Sequence, residues 1–277
     1  MSLITSNGLA CMEHNNLTIV SVYGHNDGAC AIFSIQKSMQ ELPGSRGLLL
    51  SIAKPDNLPE SIEWKEIGFL DYMMYSIFIM HSLYAFIDTD YCLIVQDDGW
   101  VLNGANFRED YYNYDYIGGA CHAAMVGNQL LLQGTWHDKF PRTIVQNGGF
   151  SLRSKRFLEA PNRYGIVHNH AQDIHLWNED VQLSCLKRHL FAEKGIKYAS
   201  EKTIRDFSLE NVIPTFHDDF DFNRLLGCHN TSFKLVSDSH IVVNPEIVTS
   251  HRAPDFLTFL QSIGYTIEYV ASNNPKA

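Results

Sequence analysis

The chain predicts an α/β fold built around one central sheet with a mainly parallel half. Three observations carry this reading. Apolar runs at residues 17–23, 47–53 and 91–95 have the length and composition of buried strands. Segments with helical character, residues 29–40 and 72–87, separate those runs. Strand, helix, strand, helix, strand in that order favours parallel pairing with right-handed crossovers.

Taken in order, the first strand (LTIVSVY) ends at Val22-Tyr23-Gly24, and the helix after it closes at Pro43-Gly44. The second strand (GLLLSIA) ends at Lys54-Pro55. The stretch YMMYSIFIMHSLYAFI, residues 72–87, is apolar on nearly all sides. It is shorter than the roughly twenty residues a membrane span needs, so a helix packed on the sheet is expected. The third strand (YCLIV) runs into Gln96-Asp97-Asp98-Gly99. Beyond it, residues 120–146 show no period and read as a long excursion, and 161–177 read as loop. A helix is expected from Asn178 to Gly195, a short strand at 196–199, and a last helix (256–263) and strand (265–270).

At 277 residues the chain is long enough for one sizeable α/β domain. The reading is of a single domain over 1–277, with one half at about 15–118 and a second at about 119–277. A net charge of −10 argues against a partner recognised through its phosphate backbone, so no nucleic acid is expected. None of the six cysteines is spaced C-x-x-C, which disfavours zinc and dithiol sites and suits a reducing compartment. The first fourteen residues lack a basic segment followed by an apolar one, and a cytoplasmic location is expected.

Ligands of parallel sheets sit at the carboxyl ends of the strands, which directs attention to Asp97 and Asp98. In extended chain Gln96 and Asp98 point one way and Asp97 the other. Asp-Asp-Gly is also an ordinary turn sequence. Gly148-Gly149 is a turn that would let backbone N–H groups approach a ligand closely. Glu179 and Asp180 open a helix, where the helix dipole favours acids whatever their function. Each is a weak signal by itself; their order, with a late His229, is the informative feature.

In that order the chain resembles the GT-A class of nucleotide-sugar glycosyltransferases. It is similar above all to a bacterial and viral glycosyltransferase-like family. The shared stretches are Tyr72 to Ser76, Gln96 to Gly99, Tyr114 to Gly118, Asn147 to Arg153 (NGGFSLR), Glu179 to Val181 and Phe207 to Glu210, within residues 17–230. The resemblance implies a GT-A-like fold whose first half binds a nucleotide-sugar donor, by class a UDP-sugar, and whose second half binds a glycan acceptor. It implies Asp98 and His229 as ligands of Mn²⁺ or Mg²⁺, and the imidazole favours Mn²⁺. Val22, Tyr23, Gly24 and Lys54 are expected at the nucleoside, with Gln96, Asp97, Gly148 and Gly149 along the rest of the donor. Asp180 is expected as the base in an inverting transfer, and Glu179 as a binder of acceptor or sugar hydroxyls.

Two departures stand out. Gln96 replaces the first aspartate of Asp-x-Asp, leaving a neutral group suited to a ribose or a metal-bound water. Gly119-Ala120-Cys121 follows Tyr114 to Gly118 where the family has Ala-Pro-Trp, which touches the acceptor-side wall. Other open assignments are Arg153, for a phosphate or an ion pair; Trp100, Trp136 and Trp177, for stacking on sugar rings; and His168, His170, Asp173 and His175, for a second metal site. A metal-dependent nucleotide-sugar hydrolase or phosphoesterase, and a non-catalytic saccharide-binding module, are the alternatives from other classes. The hydrolase needs no acceptor, and the binding module tolerates loss of Asp180.

Overall fold

The computed structural model describes residues 12–126, 129–132, 142–169, 174–213, 216–230, 232–244 and 253–270. Its first half follows the expected alternation: β1 (Leu17–Tyr23), α1 (Ile32–Glu41), β2 (Arg46–Ser51), β3 (Ile62–Glu66), α2 (Tyr72–His81) and β4 (Tyr91–Ile94). β1 pairs in parallel with β2 and β4, and β2 with β3. Every residue of β1 is buried. Ile19, Leu49 and Leu93 pack in one cluster with α1, whereas Val20, Leu48 and Ile94 pack in another with α2. Helices therefore cover both faces, which is why these strands are apolar throughout rather than alternating.

β3 was not expected. Its sequence, IEWKE, alternates apolar and charged residues because it lies at the sheet edge. Residues 72–87 divide into α2 and a separate 3-10 turn, Leu83–Phe86. Tyr72 and Met74 are exposed, so this helix is buried on one side only. Among the described residues no helix is long and apolar enough to cross a membrane.

The second half departs further from expectation. After β5 (Gly99–Val101), the supposed excursion is a pair of long strands, β6 (Tyr116–Val126) and β8 (Arg142–Ser154), with β7 (Gln129–Leu132) beyond them. All three neighbour pairs, β4 with β8, β8 with β6 and β6 with β7, are antiparallel. The main sheet thus has seven strands in the order β3-β2-β1-β4-β8-β6-β7, a parallel half joined to an antiparallel one. The expected loop at 161–177 is in part α3 (Lys155–Tyr164), capped by the Ser154 side chain and closed by Gly165 at φ 64°. Pro161 within this helix masks it in the sequence.

The helix expected from Asn178 is broken into α4 (Glu179–Val181), a π-turn (Gln182–Leu186) and α5 (Arg188–Glu193). Then come α6 (Glu201–Phe207), β9 (Ser208–Leu209), β10 (Gly227–His229), β11 (Phe233–Ser237), β12 (His240–Val243), α7 (Ala253–Ser262) and β13 (Thr266–Tyr269). A small sheet, β5-β10-β9, is the device that matters for function. It pairs His229 with Gly99 across the strands, which brings the late histidine to the end of β4.

Candidate functional site

The site forms where β4 runs out and the chain turns through Gln96, Asp97 and Asp98. Asp97 faces one way: its Oδ1 accepts from the Tyr23 hydroxyl at 2.8 Å, and its Oδ2 pairs with Lys234 at 3.0 Å. Gln96 and Asp98 face the other. His229 Nε2 lies 3.1 Å from Gln96 Oε1 and 3.3 Å from Asp98 Oδ1. Gln96 is held in that pose because its amide donates to the Tyr75 hydroxyl at 2.9 Å. Both Asp98 and His229 are buried.

Close approach here depends on glycine. A Cβ on Gly149 would lie 2.1 Å from His229 Nε2 and 2.8 Å from Gln96 Oε1. A Cβ on Gly148 would lie 2.3 Å from Glu179 Oε1. A Cβ on Gly227 would lie 2.2 Å from the Phe150 ring, so that glycine lets β10 settle against β8. The run NGGFSLR is therefore a packing surface for the groups around it.

Electrostatics follow from this crowding. Burial alone would lower the His229 pKa, but Asp98, Glu210 and Asp180 reverse that and hold it at about 9. Burial works against the Asp98 carboxylate, and His229 overrides it, so Asp98 titrates below its usual range. Burial, then the neighbouring Glu179 and Glu210, push Asp180 up to about 7. Asp180 nevertheless accepts from the Gly148 N–H at 3.0 Å and the Val181 N–H at 2.7 Å, which fix its direction.

The metal expectation can be tested on these donors. Two ligands bound at about 2.1 Å and separated by 90–110° lie roughly 3.0–3.5 Å apart, which brackets the Asp98–His229 separation. Asp98 Oδ1 is buried and makes no hydrogen bond among the described residues. The pair therefore suits a shared divalent cation. No group of three or more His, Cys, Asp or Glu side chains converges as a cage among the described residues. The remaining ligand positions would fall to water or a bound anion.

Several expected roles meet a different geometry. Glu179 is buried, with Oε1 2.7 Å from the Arg153 guanidinium, and Arg153 is itself fully buried and stacked 5.0 Å from the Tyr116 ring centre. Arg153 is thus the core partner of Glu179, and neither a surface ion pair nor a free phosphate binder. The Val22 side chain packs in the core, leaving only its backbone at the strand end. Gly24 lies under Leu70, whose N–H donates to the Gly24 carbonyl at 2.7 Å. Lys54 is exposed on the loop after β2. Trp100 is completely buried, with its indole N–H donating to the Tyr265 hydroxyl at 2.9 Å, so it cannot stack on a sugar. Trp136, His170 and Asp173 lie outside the described residues, as does the His175 side chain. His168 faces the Trp177 carbonyl, 2.7 Å away, in a network with Gln182.

One site residue went unassigned at the sequence level. Glu210 follows β9, and its charge acts on Asp180 and His229. Burial, opposed by His229, pushes its carboxyl up to about 7. The signal was present in the stretch Phe207 to Glu210, but nothing local ties that stretch to the site. Only the pairing of β9 with β10 does so.

The chain belongs to the family described as a protein of unknown function, DUF5672, whose profile matches residues 65–229. The matched segment contains Gln96, Asp98, Asp180, Glu210 and His229. No curated protein matches the sequence. Among solved structures it is similar to the galactosyltransferase LgtC in complex with donor and acceptor sugar analogs, at 12% identity and a TM-score of 0.42, covering 90% of this chain and 97% of that one. An active-site mutant of LgtC is similar at 12% identity and a TM-score of 0.43, with the same coverage. At those scores the likeness is too distant to carry a functional inference.

Proposed function

We propose that this chain is a metal-dependent glycosyltransferase of the GT-A type, moving a sugar from a nucleotide-sugar donor, by class a UDP-sugar, to a hydroxyl of a glycan acceptor. The observation that carries the reading is the convergence of Gln96, Asp98 and His229 at the rim of a parallel half-sheet, with Asp180 aimed beside them by Gly148. The parallel half, about residues 15–118, would take the donor and the rest the acceptor.

Asp98 and His229 would hold a divalent cation, Mn²⁺ by the imidazole in the set. When bound, such an ion offsets the charge of a departing diphosphate. The chain's own groups do the rest. Tyr23, clasped to Asp97, closes the strand end beneath the nucleoside, and the bare backbone at Gly148 and Gly149 lets Glu179 and His229 pack closely around the site. Asp180 accepts the proton of the acceptor hydroxyl as that oxygen attacks the anomeric carbon. The carbon–oxygen bond to the diphosphate breaks on the opposite face, and configuration inverts. A carboxyl with a pKa near 7 suits a base at neutral pH. Glu179, bound to Arg153, would position Asp180 rather than touch the acceptor.

The test is a thermal-shift titration with nucleotide sugars, with and without Mn²⁺, followed by a transfer assay. A Mn²⁺-dependent rise in melting temperature is expected for the wild type and is expected to vanish in Asp98→Ala and His229→Ala. Asp180→Asn should keep the shift and lose transfer by about a hundredfold or more. Release of free sugar without any acceptor would point to a hydrolase instead, and unimpaired transfer by Asp180→Asn would remove the base assignment.

A further inference from the structure

Trp100 is sealed in the core, yet another aromatic ring does stand open beside the site. Tyr72, the first residue of α2, is 52% exposed. Its hydroxyl donates to Asn178 Oδ1, on the residue immediately before Glu179 and Asp180. One turn further along the same face of the helix, the Tyr75 hydroxyl accepts from the Gln96 side-chain amide at 2.9 Å. The opening turn of α2 thus reaches the site twice, once beside the acid pair and once beside His229, which lies 3.1 Å from Gln96. That turn is itself fixed: Asp71 Oδ1 accepts from the Met74 N–H at 2.8 Å, and α2 packs against α4.

A ring tethered at its hydroxyl loses little freedom when a ligand lands on it, so an anchored, open tyrosine binds at low entropic cost. His229 and the cation it would share with Asp98 lie on the Gln96 side, where the diphosphate is placed. The Asn178 side, with Asp180 turned by the Gly148 N–H at 3.0 Å, is left for the acceptor. Asp180 also keeps some exposed surface. A group resting on the Tyr72 ring lies on the approach to the carboxylate that takes the acceptor's proton. A pyranose has the chemistry for both, with C–H bonds on one face for the ring and hydroxyls at its edge for the carboxylate.

Resting on the transferase reading, we infer that Tyr72 is the stacking surface of the acceptor subsite, on which a pyranose lays a C–H face while a hydroxyl turns to Asp180. The experiment is saturation-transfer NMR with UDP and Mn²⁺ present, irradiating aromatic protons. The probes are the methyl glycosides of glucose, galactose, mannose and N-acetylglucosamine. On the wild type at least one glycoside should receive saturation, strongest at the C–H protons of one ring face. Tyr72→Ala and Tyr72→Gln, both acceptable at an exposed helix position, should weaken that glycoside about tenfold, the scale of one aromatic contact. Tyr72→Phe keeps the ring and loses only its tether, and should stay within about threefold. By isothermal titration, UDP with Mn²⁺ should bind all four proteins alike.

A glycoside held equally by wild type and Tyr72→Ala, or no saturation reaching any of the four, overturns the inference and leaves the donor reading standing. Should Tyr72→Ala fail to fold, Tyr72→Gln carries the same test. Loss of UDP binding together with the glycoside in both variants marks a purely structural role and overturns it too. Failure of the wild type to bind UDP with Mn²⁺ overturns the donor reading and takes the inference with it.

Discussion

Glu179 and Asp180 are neighbours in sequence with different surroundings. One is salt-bridged to a fully buried guanidinium; the other is held by backbone N–H groups and pressed by like charge. Losing one partner of a buried ion pair typically costs 3–5 kcal/mol, because the survivor is left charged and unpaired. Glu179→Gln should therefore lower unfolding stability by about that amount in urea denaturation. The double variant Arg153→Met/Glu179→Leu removes both charges and should recover much of the loss. A fully destabilised double variant would show that the pair's hydrogen bonds to β8, rather than its charge balance, hold the site. At this scale the sequence was informative about Asp98 and His229, whose order along the chain brought them to notice. It was silent about the fate of Glu179, since an acid in a first helical turn looks the same whether it faces a ligand or a buried arginine.

Elements position these side chains through contacts with little room to spare. Gly227 is where β10 crosses the Phe150 ring of β8, and its missing side chain fixes how deep His229 sits. Gly227→Ala should lower stability and abolish Mn²⁺-dependent donor binding together, by displacing β10. Adding Phe150→Leu should restore part of both. That non-additivity, read from melting temperature and titration, is the signature of a shared contact. The same crowding explains what was legible in the sequence. β1 and the last helix were readable because burial on both faces, or an amphipathic period, imprints itself on composition. β6 and β8 were not, because small, polar and aromatic residues alternate there without a period of two. α3 was hidden by Pro161, and the π-turn at 182–186 by a register that side-chain pattern does not report. Glu210 went unassigned for a related reason: its neighbours come from strand pairing distant in sequence.

Across the whole molecule the buried charges set a pH dependence whose sign can be worked out. Asp180 and Glu210 rise from their ordinary values of 3.8 and 4.5 to about 7. The fold thus holds protons the unfolded chain has released, and this stabilisation is lost as pH rises from about 4 to 7. His229 rises from 6.5 to about 9, and its contribution is lost between those values. His14 opposes them below pH 6.5, because burial lowers it to about 4. Two groups outweigh one in the acid range, and none of the four opposes His229 above it. With a chelator present, the melting temperature should fall steadily from pH 5 to pH 9. A maximum near pH 8 would contradict the burial of these three groups.

The contact between Gln96 and His229 spans 133 positions of chain. During synthesis the ribosome therefore delivers the turn after β4 well over a hundred codons before its imidazole partner. Until β10 emerges, the turn after β4 carries Gln96 and Asp98 without the imidazole that closes over them. A message cut short anywhere in that interval would yield the platform without the pocket.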